Sequence, residues 1–241
     1  MTKIETLISG FPGRCDRGYL GWSGCYLVTT PRGRKLLFDT AGFNEREKLI
    51  SLLKERGLSP ARIDAVILSH LHFDHAANWD LFYDTEILVH QEDLDYALSP
   101  QAEAAVLRYA APVLREHPRL RLVAGSGSVL EDGVQLVHVP GHTPGGMALV
   151  CEGAVLCGDA LKNRWDLAGQ VPMKSWNNEL ARTAIHKLAS LGEKLFPGHD
   201  VALQRQGDTW QACGSPAVRV FFPDGSDVLL SPADAQTAGR S

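Results

Sequence analysis

The sequence lacks the features that mark disulfide-rich and nucleic-acid-binding proteins. Its five cysteines are scattered and form no CxxC pair, which argues against a disulfide framework and against a cysteine-rich zinc site. The 24 Lys and Arg residues are outnumbered by 28 Asp and Glu residues and form no dense basic run. Since nucleic-acid binders present concentrated positive charge, we expect a small-molecule substrate and no nucleic-acid partner.

Long hydrophobic runs and internal linkers are also missing. No apolar stretch reaches the length of a membrane span, and residues 1–5 lack the basic-then-apolar layout of a signal peptide, so we expect a cytoplasmic protein with no membrane association. The 241 residues, 44% of them hydrophobic, predict a single domain over residues 1–241 with a loose tail from about residue 233. The oligomeric state stays open, and a dimer is compatible with the sequence.

Histidine is the residue type that the chain concentrates. The segment HLHFDH at residues 70–75 directly follows the apolar run at residues 65–68. If that run is a buried strand, His70 and His72 leave the same face and can bind one ion. Asp74 and His75 lie beyond the strand end, where they can turn toward a second ion. Imidazole and carboxylate ligands suit Zn, Fe or Mn in open catalytic sites; the alternative is a solvated loop.

Later turns present further ligand types at predicted strand ends. His142 lies in PGHTPGG at residues 140–146, and His199 lies in PGHD at residues 197–200. Asp159, in the GDA triplet, is a lone carboxylate at the end of an apolar strand, and burying it without a cation partner would be costly. Five of the nine histidines thus lie at strand ends, which chance clustering does not explain. His90 is interpreted as a supporting residue rather than a ligand.

In this order, HLHFDH, PGHTPG, GDA and FPGHD resemble the metallo-beta-lactamase superfamily along nearly the whole chain. The resemblance implies an α/β fold, a four-layer αββα sandwich of two mixed β-sheets with helices on the outer faces. It also implies a binuclear metal site at one edge, with Asp39 supporting a ligand histidine. The implied ligands are His70, His72 and His142 for the first ion, Asp74, His75 and His199 for the second, and Asp159 as a bridge.

The resemblance implies two divalent metal ions, with Zn expected and Fe or Mn as alternatives. A hydroxide bridging ions about 3.5–4 Å apart would attack the substrate. Asp74 either passes a proton to the leaving group or is only a ligand. We therefore expect a metal-dependent hydrolase that cleaves a small ester, lactone or thioester. The alternatives are a small-molecule phosphodiesterase, an iron-dependent oxidoreductase like the persulfide dioxygenases, and a non-catalytic metal-binding protein.

Departures from the family pattern narrow the range of expected substrates. Exported beta-lactamases commonly have a cysteine where Asp159 stands, and the hydroxyacyl-glutathione thioesterases carry an additional helical domain. Acyl-homoserine lactone lactonases place a tyrosine three residues past the bridging aspartate, where this chain has Lys162. We expect Lys162, Asn163 and Arg164 to bind an acidic or carbonyl-bearing substrate; the alternative is a solvated basic turn.

The rest of the pattern predicts alternating strands and helices. Asn44 is the predicted cap of a helix reaching Gly57, and residues 91–115 read as two helices broken at Pro100. Residues 147–157 form a predicted hairpin, and an amphipathic helix is expected from Asn177 or Asn178. A terminal hairpin is expected over residues 218–230.

Overall fold

The protein is described by a computed structural model covering residues 1–169 and 174–232. The predicted loose tail from residue 233 lies outside these described residues. In chain order the strands are β1 (Lys3–Ile8), β2 (Arg14–Cys15), β3 (Gly18–Tyr19), β4 (Cys25–Thr29), β5 (Lys35–Phe38), β6 (Ala65–Ile67), β7 (Glu86–His90), β8 (Leu120–Val123), β9 (Gly127–Glu131), β10 (Val134–His138), β11 (Met147–Cys151), β12 (Ala154–Gly158), β13 (Lys194–Pro197), β14 (Leu203–Gln206), β15 (Thr209–Ala212), β16 (Val218–Phe221) and β17 (Asp227–Leu230).

The helices are short apart from the last one. They are α1 (Arg46–Glu55), α2 (Phe73–Ala76), α3 (Gln91–Leu98), α4 (Ala111–Arg115), α5 (Arg164–Leu167) and α6 (Asn178–Leu191), with 3-10 turns at Phe43–Glu45, Pro60–Arg62 and Trp79–Phe82. Over the described ranges, no helix combines the length and the apolar character needed to cross a bilayer.

Two mixed sheets form the centre of the fold. The first has the order β1-β4-β5-β6-β7-β8, and its strands from β5 to β8 run parallel. The second has the order β15-β14-β13-β12-β11-β10-β9, with β12 and β13 parallel. Hairpins β2–β3 and β16–β17 form separate two-stranded sheets.

Side-chain alternation along the strands divides the interior into three apolar layers. Phe38 of β5 packs with Leu149 of β11 in the core between the sheets. Leu37, pointing the other way, packs with Leu49 of α1 in a layer that also includes α3 and α4. Val155 of β12 packs against α6 on the opposite outer face. The chain is therefore an αββα sandwich, as expected.

The predicted start of the last helix is confirmed, and two other local predictions are wrong. Asn177 caps α6, since its Oδ1 accepts hydrogen bonds from the backbone N–H groups of the next turn at 3.0 and 3.1 Å. Asn44 does not cap α1, because it lies inside the 3-10 turn that precedes Arg46. Residues 99–110 are not helical: they form turns, and two of them bond to the HLHFDH segment, since Leu107 N–H donates to the carbonyl of Leu71 and the carbonyl of Ala105 accepts from Phe73 N–H, both at 2.9 Å.

Candidate metal centre

The sequence motifs meet at the carboxyl ends of four strands. The HLHFDH segment follows β6, PGHTPGG follows β10, Asp159 directly follows β12, and His199 follows β13. His70, His72, Asp74, His75, His142 and Asp159 are buried, and His199 is half-buried. The fold therefore brings together all seven residues that the resemblance implies as ligands.

One group of four residues can hold a first ion. His70, His72, His142 and Asp159 each offer a ligand atom within 4.8 Å of the others. His142 Nε2 lies 3.0 Å from His72 Nδ1 and 3.3 Å from Asp159 Oδ2. The buried Nε2 of His70 has no hydrogen-bond partner within the described part of the chain. A buried lone pair without a donor fits a cation at this point.

A second group adjoins the first. Asp74, His75 and His199 also place their ligand atoms within 4.8 Å of one another. Asp159 Oδ1 lies 3.0 Å from His75 Nε2 and 3.2 Å from His199 Nε2, while Oδ2 faces His142 of the first group. The two oxygens of one carboxylate therefore face the two groups, so Asp159 lies between them.

Hydrogen bonds to the second ring nitrogen orient two of the candidate ligand histidines. Asp39 Oδ2 lies 2.8 Å from His75 Nδ1 and accepts from the hydroxyl of Ser69 at 2.8 Å, so Asp39 contacts one of the candidate ligand histidines. The carbonyl of Trp22 lies 3.0 Å from His199 Nδ1. Metal-bound imidazoles normally donate their other N–H to such acceptors.

Burial and charge set the protonation of the cluster. Burial lowers the pKa values of His70 and His142 well below the ordinary value, which keeps both rings neutral and able to bind metal. Burial also lowers the pKa of His75, but Asp159 and Asp39 more than offset this and raise it well above the ordinary value. Burial raises the pKa of Asp159, yet His199 and Lys162 bring it well below its usual range. The shifts therefore favour neutral His70 and His142 in the first group, a protonated His75 in the second, and an ionised Asp159 between them.

A cavity of about 440 Å³ opens above the two groups. Its apolar wall is formed by Phe11, Tyr19, Phe73 and Trp165, and its charged wall includes Lys162, Lys174 and Glu103. A volume of this size is typical of pockets for small ligands.

The three predicted substrate residues have different surroundings. Lys162 lines the cavity, with Nζ 3.2 Å from Asp159 Oδ2. Asn163 also lines it, but its Oδ1 caps α5 by accepting from Trp165 N–H at 3.1 Å. The guanidinium of Arg164 instead forms two hydrogen bonds with buried Asp200, and Arg164 is absent from the described cavity lining. Substrate binding by Arg164 stays a prediction, and its guanidinium is engaged in this ion pair.

Sequence reasoning missed two acidic residues beside the HLHFDH segment. Glu103 Oε1 lies 2.9 Å from His72 Nε2, and this hydrogen bond lowers the pKa of Glu103. Asp93, buried in α3, accepts from the backbone N–H of Leu71 at 2.7 Å. Both residues lie in a stretch with a helical pattern, and nothing in that pattern indicates a contact with the HLHFDH segment. The contacts are seen only in the folded structure.

A third group of metal-binding residue types, His90, Glu92 and His138, has less suitable geometry. The rings of His90 and His138 are stacked, with centroids 4.0 Å apart and planes 13° apart. In-plane lone pairs of parallel rings do not converge on one ion. Each ring also has its Nε2 within hydrogen-bond distance of a carbonyl, and His90 Nδ1 accepts from Glu92 N–H. This group caps α3 and joins two loops.

Comparison with known proteins gives one family. The family model described as metallo-beta-lactamase superfamily matches residues 23–199. N-acyl homoserine lactonase AiiA of Bacillus thuringiensis subsp. kurstaki is 31% identical over 170 residues, covering 67% of this chain and 65% of the relative. Metallo-beta-lactamase domain-containing protein 1 of Xenopus laevis is 30% identical over 171 residues, covering 68% and 65%. The match thus spans slightly less than two thirds of these relatives.

Solved structures agree on the fold. The structure of a B. thuringiensis AiiA mutant with N-decanoyl-L-homoserine bound at the active site has a TM-score of 0.62 at 26% identity, covering 73% of this chain and 80% of that one. A metallo-beta-lactamase-like protein of Thermotoga maritima has a TM-score of 0.65 at 20% identity, covering 85% and 99%.

Proposed function

Because the chain belongs to the metallo-beta-lactamase superfamily, we propose that it is a binuclear metal-dependent hydrolase whose substrate is a lactone, or a small ester or thioester of similar shape. The bridging geometry of Asp159 carries this proposal. Its Oδ1 faces His75 and His199 while its Oδ2 faces His142. One carboxylate shared between two ligand groups is what a pair of closely spaced ions requires.

The proposed ligand roles follow the two groups. His70, His72 and His142 would hold the first ion, Asp74, His75 and His199 the second, and Asp159 both. All donor atoms are imidazole nitrogen or carboxylate oxygen, a set that suits zinc, and zinc is the proposed metal with Fe or Mn as alternatives. When bound, such a pair supplies Lewis acidity and an activated water at neutral pH.

The chain's own residues would orient the substrate around that centre. Lys162 extends over the bridge into the cavity, where its ammonium group can donate to a carbonyl oxygen or to a polar head. Asp74 borders the cavity and can pass a proton to the leaving oxygen in addition to its ligand role. The apolar wall of Phe11, Phe73 and Trp165 suits an acyl chain.

Lactones lead the list of substrates for two reasons. Of the relatives named above, AiiA is an N-acyl homoserine lactonase, and an AiiA mutant binds N-decanoyl-L-homoserine at its active site in a solved structure. The cavity also combines an apolar wall with a cation beside the bridge, which matches a lactone bearing an acyl chain. Because this chain has Lys162 where the lactonases have a tyrosine, the proposal does not specify which acyl group the substrate carries.

A cytoplasmic location stays a prediction.

The test is a substrate panel on zinc-loaded protein. The panel contains acyl homoserine lactones of increasing chain length, a simple butyrolactone, a p-nitrophenyl ester, an acyl thioester, a beta-lactam and bis-p-nitrophenyl phosphate. We expect a lactone to have the highest kcat/KM, measured by proton release, and Asp159→Ala to abolish the activity. Faster phosphodiester cleavage would instead support the phosphodiesterase alternative. Oxygen uptake with a persulfide on iron-loaded protein would support the oxidoreductase.

A further inference from the structure

The carboxylate of Glu103 contacts the HLHFDH segment from a loop that is distant in sequence. Its Oε1 lies 2.9 Å from Nε2 of His72, a residue that no motif connects with it. We propose that Glu103 is a positioning residue that fixes the ring of His72 and leaves Nδ1 as the nitrogen offered to the first ion. This inference rests on the proposed metal-dependent function.

The two ring nitrogens of His72 face different partners. Nδ1 lies 3.0 Å from Nε2 of His142, inside the first ligand group, whereas Nε2 faces Glu103. A neutral imidazole carries one proton, and an ionised carboxylate can only accept a hydrogen bond. The proton therefore belongs on Nε2, which leaves the Nδ1 lone pair directed at the ion. A proton on Nδ1 would block that position.

The fold holds Glu103 in place through its backbone. The Glu103 N–H lies 3.2 Å from the hydroxyl oxygen of Tyr96, which belongs to α3. Two residues further on, the carbonyl of Ala105 accepts from Phe73 N–H at 2.9 Å, which ties the loop to the metal segment. The contact between Glu103 and His72 is therefore built by the chain path and is not a chance approach of a long surface side chain.

Glu103 differs from the groups that orient the other ligand rings. His75 is oriented by buried Asp39, and His199 by the main-chain carbonyl of Trp22. The Glu103 side chain, in contrast, is 33% exposed and forms part of the cavity wall. It is therefore the one that mutation can remove with the least disturbance of the core.

The experiment compares zinc binding by wild type, Glu103→Met and Glu103→Gln, using competition with a chromophoric chelator. Methionine keeps the side-chain length but offers no comparable acceptor, so the first-ion affinity should fall about 10- to 100-fold while the second is retained. Glutamine keeps Oε1 and should restore most of the affinity. Glu116→Ala, at an exposed carboxylate elsewhere on the surface, is the control and should bind zinc like wild type.

A second readout measures the ring itself. Long-range ¹⁵N–¹H NMR of zinc-loaded wild type should show His72 protonated at Nε2. If Glu103→Met does not fold, Tyr96→Phe removes the hydroxyl that accepts from Glu103 N–H and should weaken the first site in the same direction. Unchanged affinity in Glu103→Met, or in its substitute Tyr96→Phe, would overturn the inference. A change in KM alone in Glu103→Met would also overturn the inference, because Glu103 would then contact the substrate rather than position His72.

The outcome separates the two proposals. Wild-type protein that binds two zinc ions but hydrolyses nothing in the panel would overturn the proposed reaction, and the zinc comparison would still decide the role of Glu103. Wild-type protein without a first site would overturn both.

Discussion

Arg164 and Asp200 form a two-point ion pair beside the candidate metal centre. Arg164 Nε lies 2.8 Å from Asp200 Oδ2, and Nη2 lies 2.7 Å from Oδ1. The Asp200 carboxylate is fully buried and directly follows His199. The pair thus joins the segment after β12 to the turn that carries a proposed ligand, although the sequence presents Arg164 as part of a basic turn facing the substrate.

Arg164→Ala is therefore expected to reduce stability rather than substrate selectivity. Removing the guanidinium leaves the buried carboxylate without its counter-charge and with only the backbone N–H groups of residue 164 and Val201 as donors, which costs about 3–5 kcal/mol. The measurement is urea unfolding, with Arg182→Ala on the exposed face of α6 as the control. A selective loss of kcat/KM for acidic substrates with unchanged unfolding would restore the substrate role of Arg164.

Lys162→Met, in contrast to Arg164→Ala, should reduce catalysis rather than stability. The ammonium group lies over Asp159 and lines the cavity, so its loss should lower kcat/KM by about 10- to 100-fold, since a hydrogen bond to a charged group contributes about 1.5–3 kcal/mol. Lys162→Arg, which keeps the charge, should lose less. Steady-state kinetics on the best lactone checks both variants. Equal rates for wild type and Lys162→Met would place the lysine outside the reaction.

Metal content tests the bridging carboxylate. Elemental analysis after zinc loading should give close to two ions per chain, because the two ligand groups share Asp159. Asp159→Ala should weaken binding of both ions, particularly the second, and lower turnover by orders of magnitude while the circular dichroism spectrum is retained. A wild-type value that saturates at one ion per chain would contradict the binuclear proposal.

Gly198 is a steric test of the same bridge. A Cβ atom at this position would lie 2.1 Å from Asp159 Oδ1 and 2.9 Å from the carbonyl oxygen of Gly158. Gly198→Ala should therefore displace the carboxylate and reduce zinc content without removing any ligand. Gly207→Ala, at an open position with φ of 60°, serves as a control that adds backbone strain alone. Full zinc binding by Gly198→Ala would show that the bridge tolerates displacement.

Asp166 should make stability depend on pH. Burial raises its pKa from 3.8 to about 6, so the folded state holds this proton more tightly than the unfolded state. Its contribution to stability is complete below about pH 4 and is lost as the pH rises through about 6. In Asp166→Asn this dependence should disappear.

The check on Asp166 is unfolding by urea at pH 4.5 and pH 7. Between pH 4.5 and pH 7, the free energy of unfolding of wild type should fall by about 1–3 kcal/mol more than that of Asp166→Asn, given the size of the pKa shift. Asp132→Asn, at an exposed position on the β9–β10 turn, is the control. Parallel pH profiles for wild type and Asp166→Asn would contradict the raised pKa.

The sequence by itself determined the fold family and the residue types of the site. The spacing in HLHFDH predicts that His70 and His72 act together, although both lie past the end of β6 at Ile67. The Pro-Gly turns present His142 and His199 at strand ends. These features are local, so they can be predicted from spacing. The αββα sandwich was expected from the family resemblance of the four motifs, whereas periodicity alone indicated only alternating strands and helices.

Only the tertiary structure decided which residues surround those ligands. Glu103 is separated from His72 by 31 positions, and Arg164 from Asp200 by 36. Spacing indicates the face on which a side chain leaves its own strand or helix, but not which distant segment will lie beside it. Residues 99–110 show this: a helix was predicted there, but the stretch forms turns and two of its residues, Ala105 and Leu107, bond through the backbone to the HLHFDH segment. Local helix preference is weak enough for such tertiary contacts to override it.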